Sequence, residues 1–142
     1  PERSSPISPA GNQKARHMPQ HNDEQLDREV LYWLKQHRGR QNSMGRWELV
    51  ERIFGMEAAR VQSDDNPFDR QIRGSVARLR KSGLLICDMG DGHGRYLAAT
   101  LEEYQAFRQY YGAGAFEKLA TIREMDKAAE EVWPDVLQMR LL

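Results

Sequence analysis

Residues 66–83 read NPFDRQIRGSVARLRKSG, and both ends of a helix are written into that stretch. Asn66 can cap the free N–H groups of a first turn, and Pro67 stands at the first helical position, where its missing N–H costs nothing. Asp69 places negative charge near the start, while Arg78, Arg80 and Lys81 load the end, as the helix dipole prefers. Gly83 supplies the left-handed residue that stops the helix. Phe68, Ile72, Val76 and Leu79 recur at helical spacing and make an apolar stripe that must be buried against other elements. A second face, about 100° per residue around the helix, gathers Arg70, Arg73, Ala77, Arg80 and Lys81.

That second face has two readings. Long cations commonly form a solvated rim. Arginine is also the side chain best suited to forked contacts with phosphate or with guanine, and Ala77 in the middle is small enough for close approach. On the helix alone the two readings are level, and the next segment favours the second. Residues 84–88 (LLICD) form a short apolar run, 89–94 (MGDGHG) hold three glycines, and 95–99 (RYLAA) form a second short run with Tyr96 and Ala98 on one side and Leu97 on the other. Two strands around a glycine-rich loop predict a hairpin.

A basic helix passing through LRKSG into such a hairpin resembles the recognition helix and wing of winged helix-turn-helix domains. The likeness is to the biotin-repressor-like subtype, whose pattern runs from an "LR..G..I" helix end to a "G.GY.L" second strand. GHGRYLA departs from it by the insertion of Arg95, and the resemblance covers about half of the chain. It implies a mainly α fold with a small β-hairpin: a winged helix-turn-helix domain over residues 23–99 with a C-terminal helical extension over 100–142. It also implies double-stranded DNA as partner, bound sequence-specifically or structure-specifically in transcription regulation or replication, in the manner of small phage and prophage regulators. Arg70, Arg73 and Arg80 would reach base edges or phosphates, Ala77 would allow close approach, and Lys81 would lie on the backbone. Gly92, His93 and Arg95 would form the wing tip along the minor groove or phosphate track.

Charge is distributed in a way that suits binding by one face. The 142 residues carry 21 basic and 21 acidic side chains, so no overall field draws the chain to nucleic acid. Residues 66–99 nevertheless hold six Lys/Arg against three Asp/Glu, and residues 100–142 hold five against eight. The single cysteine, Cys87, precludes an internal disulfide, predicts a reducing, cytoplasmic setting, and reads as a small buried hydrophobe in its strand. Neither a membrane-spanning run nor a signal-peptide core is present in the sequence, so no membrane partner is expected. Residues 1–22 are polar and proline-bearing and read as a flexible arm; His17-Met18 resembles a cloning junction, which would make Met18 the native start.

Elsewhere the pattern predicts helices over 22–39 and 43–54, with Leu26, Val30, Trp33, Leu34, Trp47, Val50 and Phe54 facing inward. The polar connection 38–42 is long enough for a turn or a minimal third strand. Residues 55–66 are longer than the 3–4-residue turn of a compact helix-turn-helix and predict an extra helical turn followed by a polar loop. Thr100 and Glu103 form a capping box that opens another helix, with a break or kink expected at 112–114. A further helix is expected over 115–133, ended or bent by Pro134. Within it Ile122, Met125, Ala129 and Val132 make a short heptad seam that Val136 and Met139 could continue. This seam serves either packing on the chain's own domain or a homodimer.

No reaction is legible. The glycine-rich loop lacks the helix and lysine of a phosphate-binding loop. Asp88, Asp91 and His93 could in principle hold a metal, but glycine-rich turns collect Asp and His for conformational reasons, and no zinc spacing is present. No catalytic residues, metal or cofactor are therefore assigned, and no enzyme is expected. The alternative to DNA binding is a winged-helix protein-interaction module, in which the basic helix meets an acidic protein surface within a larger assembly.

Overall fold

The computed structural model describes residues 22–135. The expected arm, the possible start at Met18 and the seam positions Val136 and Met139 lie outside the described residues. The fold is mainly helical, with one small antiparallel hairpin, in the order α1 (Asp23–Leu34), α2 (Arg46–Phe54), α3 (Pro67–Lys81), β1 (Ile86–Cys87), β2 (Tyr96–Leu97) and α4 (Leu101–Val132). Short 3-10 turns at Arg40–Asn42 and Met56–Ala59 lie before and after α2. The described residues fall into two compact units, one ending at Tyr104 and the other beginning at Gln105.

The first unit is held by one apolar cluster. Leu26, Val30 and Leu34 of α1, Leu49 and Val50 of α2, Ile72, Val76 and Leu79 of α3, and Ile86 of β1 are all buried in it, with Met44, Ala58 and Ala59 from the connections. The α3 stripe points inward as its spacing requires, with Phe68 at the margin and its ring 5.0 Å from that of Phe54. Helix α1 starts where expected: the Asn22 side chain accepts a hydrogen bond from Gln25 N at 2.7 Å. It ends earlier than expected, at Leu34, and Gly39 serves a later turn at φ 90°.

Of the two expectations for the connection 38–42 the turn is the one observed, at Arg40–Asn42, and the segment meets the hairpin through isolated bridges instead of a third strand. Arg38 bridges Leu97 in parallel, and Met44 bridges Arg95 in antiparallel fashion through bonds of 2.7 and 2.9 Å. Strand β2 is thus flanked by β1 on one side and by these bridges on the other. Pairing at Met44 also explains why α2 begins at Arg46 rather than at residue 43: the backbone is still extended there. Gly94 makes the bridge feasible, because a Cβ at that position would lie 2.0 Å from the Met44 carbonyl oxygen.

The long connection 55–66 is ordered by Asn66. Its side-chain oxygen accepts from Phe68 N and Asp69 N, capping α3, while its amide donates to Ala58 O at 2.7 Å and Val61 O at 2.8 Å. One buried asparagine therefore starts α3 and pins the preceding loop, so the extra length does not loosen the α2–α3 unit.

Helix α4 corrects one expectation: it runs without interruption for 32 residues through Gly112 and Gly114. A helical glycine costs only about 1 kcal/mol relative to alanine, too little to break a helix this long, and the Phe116 ring occupies the space beside Gly112. The helix stops at Val132, two residues before Pro134. Its capping box holds: Glu103 N donates to Thr100 Oγ1 at 3.1 Å, and the Glu103 carboxylate accepts from Ala99 N and Arg40 N. Those last bonds tie the first turn of α4 into the first unit, which is why the division falls inside the helix and not at residue 99.

Candidate nucleic-acid interface

The outward face of α3 carries Arg70, Arg73, Ala77 and Lys81, all exposed and spaced three, four and four residues apart along one stripe. The residues between them that complete the helix are half-buried or buried, so this stripe is the part of α3 open to a partner. Arg70 Nη2 donates to Asp65 O at 3.2 Å. Arg73 donates through Nε to Asp69 at 3.0 Å and through Nη2 to Asp64 O at 2.7 Å. Both guanidiniums are therefore oriented by the preceding loop while keeping further N–H groups for another acceptor.

Arg80 lies to the side of the stripe and is half-buried; its Nε donates to Ile86 O at 2.9 Å. It joins the end of α3 to the base of the hairpin instead of standing clear as an outward cation. The hairpin loop is pinned as well. Arg40 Nη2 pairs with Asp91 at 2.5 Å, the backbone N–H of His93 donates to Asp91 Oδ1, and His93 Nδ1 lies 3.1 Å from the same oxygen. The His93 N–H, and then the Arg40 guanidinium, hold the Asp91 carboxyl far below the usual carboxylate range. Gly92 and His93 remain exposed at the tip.

Arg95 is a correction. It was expected at the wing tip, but it sits in the bridge to Met44 with only 7% of its surface exposed. Gly94, pressed against the Met44 carbonyl, closes the loop one residue earlier, so Arg95 belongs to the ladder and not to the tip. Its Nη1 is buried without a hydrogen-bond partner. Burial lowers its pKa from the ordinary arginine value, against the opposing charges of Asp88 and Asp69.

The sequence reading missed the group that organises this face. Asp69 is fully buried, and Arg46 grips it twice, Nε to Oδ1 at 3.0 Å and Nη2 to Oδ2 at 2.7 Å, while Arg73 takes Oδ2 from the other side. Arg46 Nη2 also reaches Asp64 at 2.8 Å. Burial raises the Asp69 pKa, but the Arg46 hydrogen bonds and charge, with Arg73 and Arg95 behind them, outweigh it and leave the carboxyl below its ordinary value. A signal was present: Asp69 falls on the same inward stripe as Ile72, Val76 and Leu79, and a carboxylate there requires a cation. A second such tie lies on α1, where Asp27 accepts from Arg78 and from Ser75 Oγ, and the Arg78 hydrogen bonds hold its carboxyl below the normal value.

Cys87 is fully buried, and burial pushes its thiol up to about 11, which makes it inert at neutral pH. Among the described residues no group of three His, Cys, Asp or Glu side chains could hold a metal ion, and no helix is long and apolar enough to cross a membrane. The chain matches no family model, no curated protein and no solved structure.

Proposed function

We propose that the first unit is a winged helix that binds double-stranded DNA, in transcription regulation or replication. The observation that carries this reading is the exposed Arg70–Arg73–Ala77–Lys81 stripe on a helix whose other faces are committed to the core. The element order supports it: helix, bridging segment, two helices joined by a pinned loop, and a glycine-rich two-stranded hairpin. In this reading α3 enters the major groove. Arg70 and Arg73 offer their remaining donors to base edges or phosphates, Ala77 admits close approach, and Lys81 contacts the backbone. Gly92 and His93 lie along the neighbouring phosphate track. Arg80 and the Arg40–Asp91 pair set the angle of the hairpin against the helix, and Arg95 makes no contact with DNA.

The test is fluorescence anisotropy on random duplex across a salt series. Each phosphate contact should contribute roughly −0.9 to the log–log salt slope. Arg70→Ala/Lys81→Ala removes two stripe cations that the fold does not need, so the slope should flatten by up to about 2 with melting unchanged. An unchanged affinity and slope in that variant would refute the assignment. No binding by the intact chain at low salt would transfer the stripe to an acidic protein surface.

A further inference from the structure

Beyond Phe107, α4 has no buried residue among those described. Ala115, Lys118, Ile122, Met125, Ala129 and Val132 alternate at three and four residues. Ile122 is 49% exposed, Met125 64% and Val132 62%, and Leu119 and Trp133 beside them are 48% and 64% exposed. An apolar stripe on a helix this long normally faces another helix.

We propose that this seam pairs antiparallel with the same seam of a second copy of the chain. The direction follows from charge. Lys118 occupies a seam position, and a parallel, in-register pair would set the two lysines against each other. Reversing one helix places Ile122 opposite Met125 around the two-fold axis, Ala115 opposite Val132, and Lys118 opposite Ala129. Ala129 is small enough to accept the lysine stem, and the ammonium then emerges between Asp126 and Glu130 of the second copy. Residues 126–135 hold four acidic side chains against one basic, and in this register they face residues 112–121, which hold Lys118 and Glu117. Parallel pairing would instead stack the two acidic segments on each other. The pairing is independent of whether α3 binds DNA.

Sedimentation of the intact chain from about 1 to 100 µM should show a concentration-dependent dimer, and a monomer throughout would overturn the proposal. A spin label on Glu131→Cys, with native Cys87 fully buried, measures direction. The antiparallel pair separates the two labels by roughly 22 Å along the axis at about 1.5 Å per residue; labels at the same height would refute it. Lys118→Glu should weaken dimerisation roughly 10-fold, since two contacts turn from attractive to repulsive, and adding Asp126→Lys should restore it. Lys118→Glu that dimerises as the wild type does would also refute the pairing. Circular dichroism on each variant verifies that the helix persists.

Discussion

Replacing Arg46 by alanine should unfold this domain more readily than any other single change to a surface arginine. Asp69 is fully buried, and Arg46 supplies two of its three charge-assisted hydrogen bonds, at 3.0 and 2.7 Å. Breaking a buried ion pair by removing one partner costs about 3–5 kcal/mol, because the remaining charge is left without compensation. Two features reduce that here. The Arg46 side chain is 36% exposed, so water reaches the rim of the pair, and Arg73 still holds Asp69 through one bond at 3.0 Å. Loss of the Arg46 stacking on Trp47, 4.7 Å from guanidinium carbon to ring centroid, acts the other way. The expected net cost is about 2–3 kcal/mol. For a domain of this size each kcal/mol shifts Tm by about 4–8 °C, so melting should fall by roughly 10–20 °C.

The assay is a double-mutant cycle of Arg46→Ala and Asp69→Ala by urea denaturation. Removing Asp69 leaves two arginines that can turn to water, so the double variant should be little worse than Asp69→Ala, and the coupling energy should reach about 2 kcal/mol. Arg46→Ala within about 0.5 kcal/mol of wild type, the range of ordinary surface changes, would show that the carboxylate finds other compensation and would refute the reasoning. The same geometry bears on Arg73. A purely outward recognition arginine could be removed without loss of stability, but this one is also part of the Asp69 clamp, so its replacement changes stability as well as any contact it makes.

Two further outcomes are expected. The Asp69 and Asp27 carboxyls lie below their ordinary values in the folded chain; the stability they contribute is present above the unfolded carboxylate pKa of about 4 and is lost as pH falls through the folded values. Urea midpoints should therefore drop below about pH 4, less steeply in Arg46→Ala, and an identical acid profile in the two proteins would contradict the assignment. Gly94→Ala should destabilise by more than the roughly 1–3 kcal/mol of a strained backbone alone, because the new Cβ meets Met44 O, whereas Gly92→Ala, with φ 87° and open space around it, should cost only the strain; equal melting of the two variants would show that the Met44 contact is not limiting.

How much of this was legible depends on how far each feature reaches along the chain. The ends of α3, its inward stripe and the α4 capping box were legible because cap, first turn and periodicity all lie within one or two turns of each other. The continuity of α4 was misread because a glycine pair is a local signal, whereas the helix integrates propensity over 32 residues. Arg95 and Asp69 failed for the opposite reason. Arg95 was placed at the tip by its distance from the glycines, but what buries it is a bridge to Met44, 51 residues earlier. Asp69 was assigned to the helix dipole, a local role, although its position on the inward stripe already demanded a counter-charge; which arginine would supply it depends on how α2 packs against α3, and that is not written at either site. The basic stripe of α3 was legible as a set of exposed cations but not in its internal order. Burial separated Arg80 from Arg70, Arg73 and Lys81, and loop carbonyls at Asp64 and Asp65 fixed the direction of two of them. The exposed basic face is therefore shaped by contacts between segments, each of which, read alone, is an ordinary charged surface.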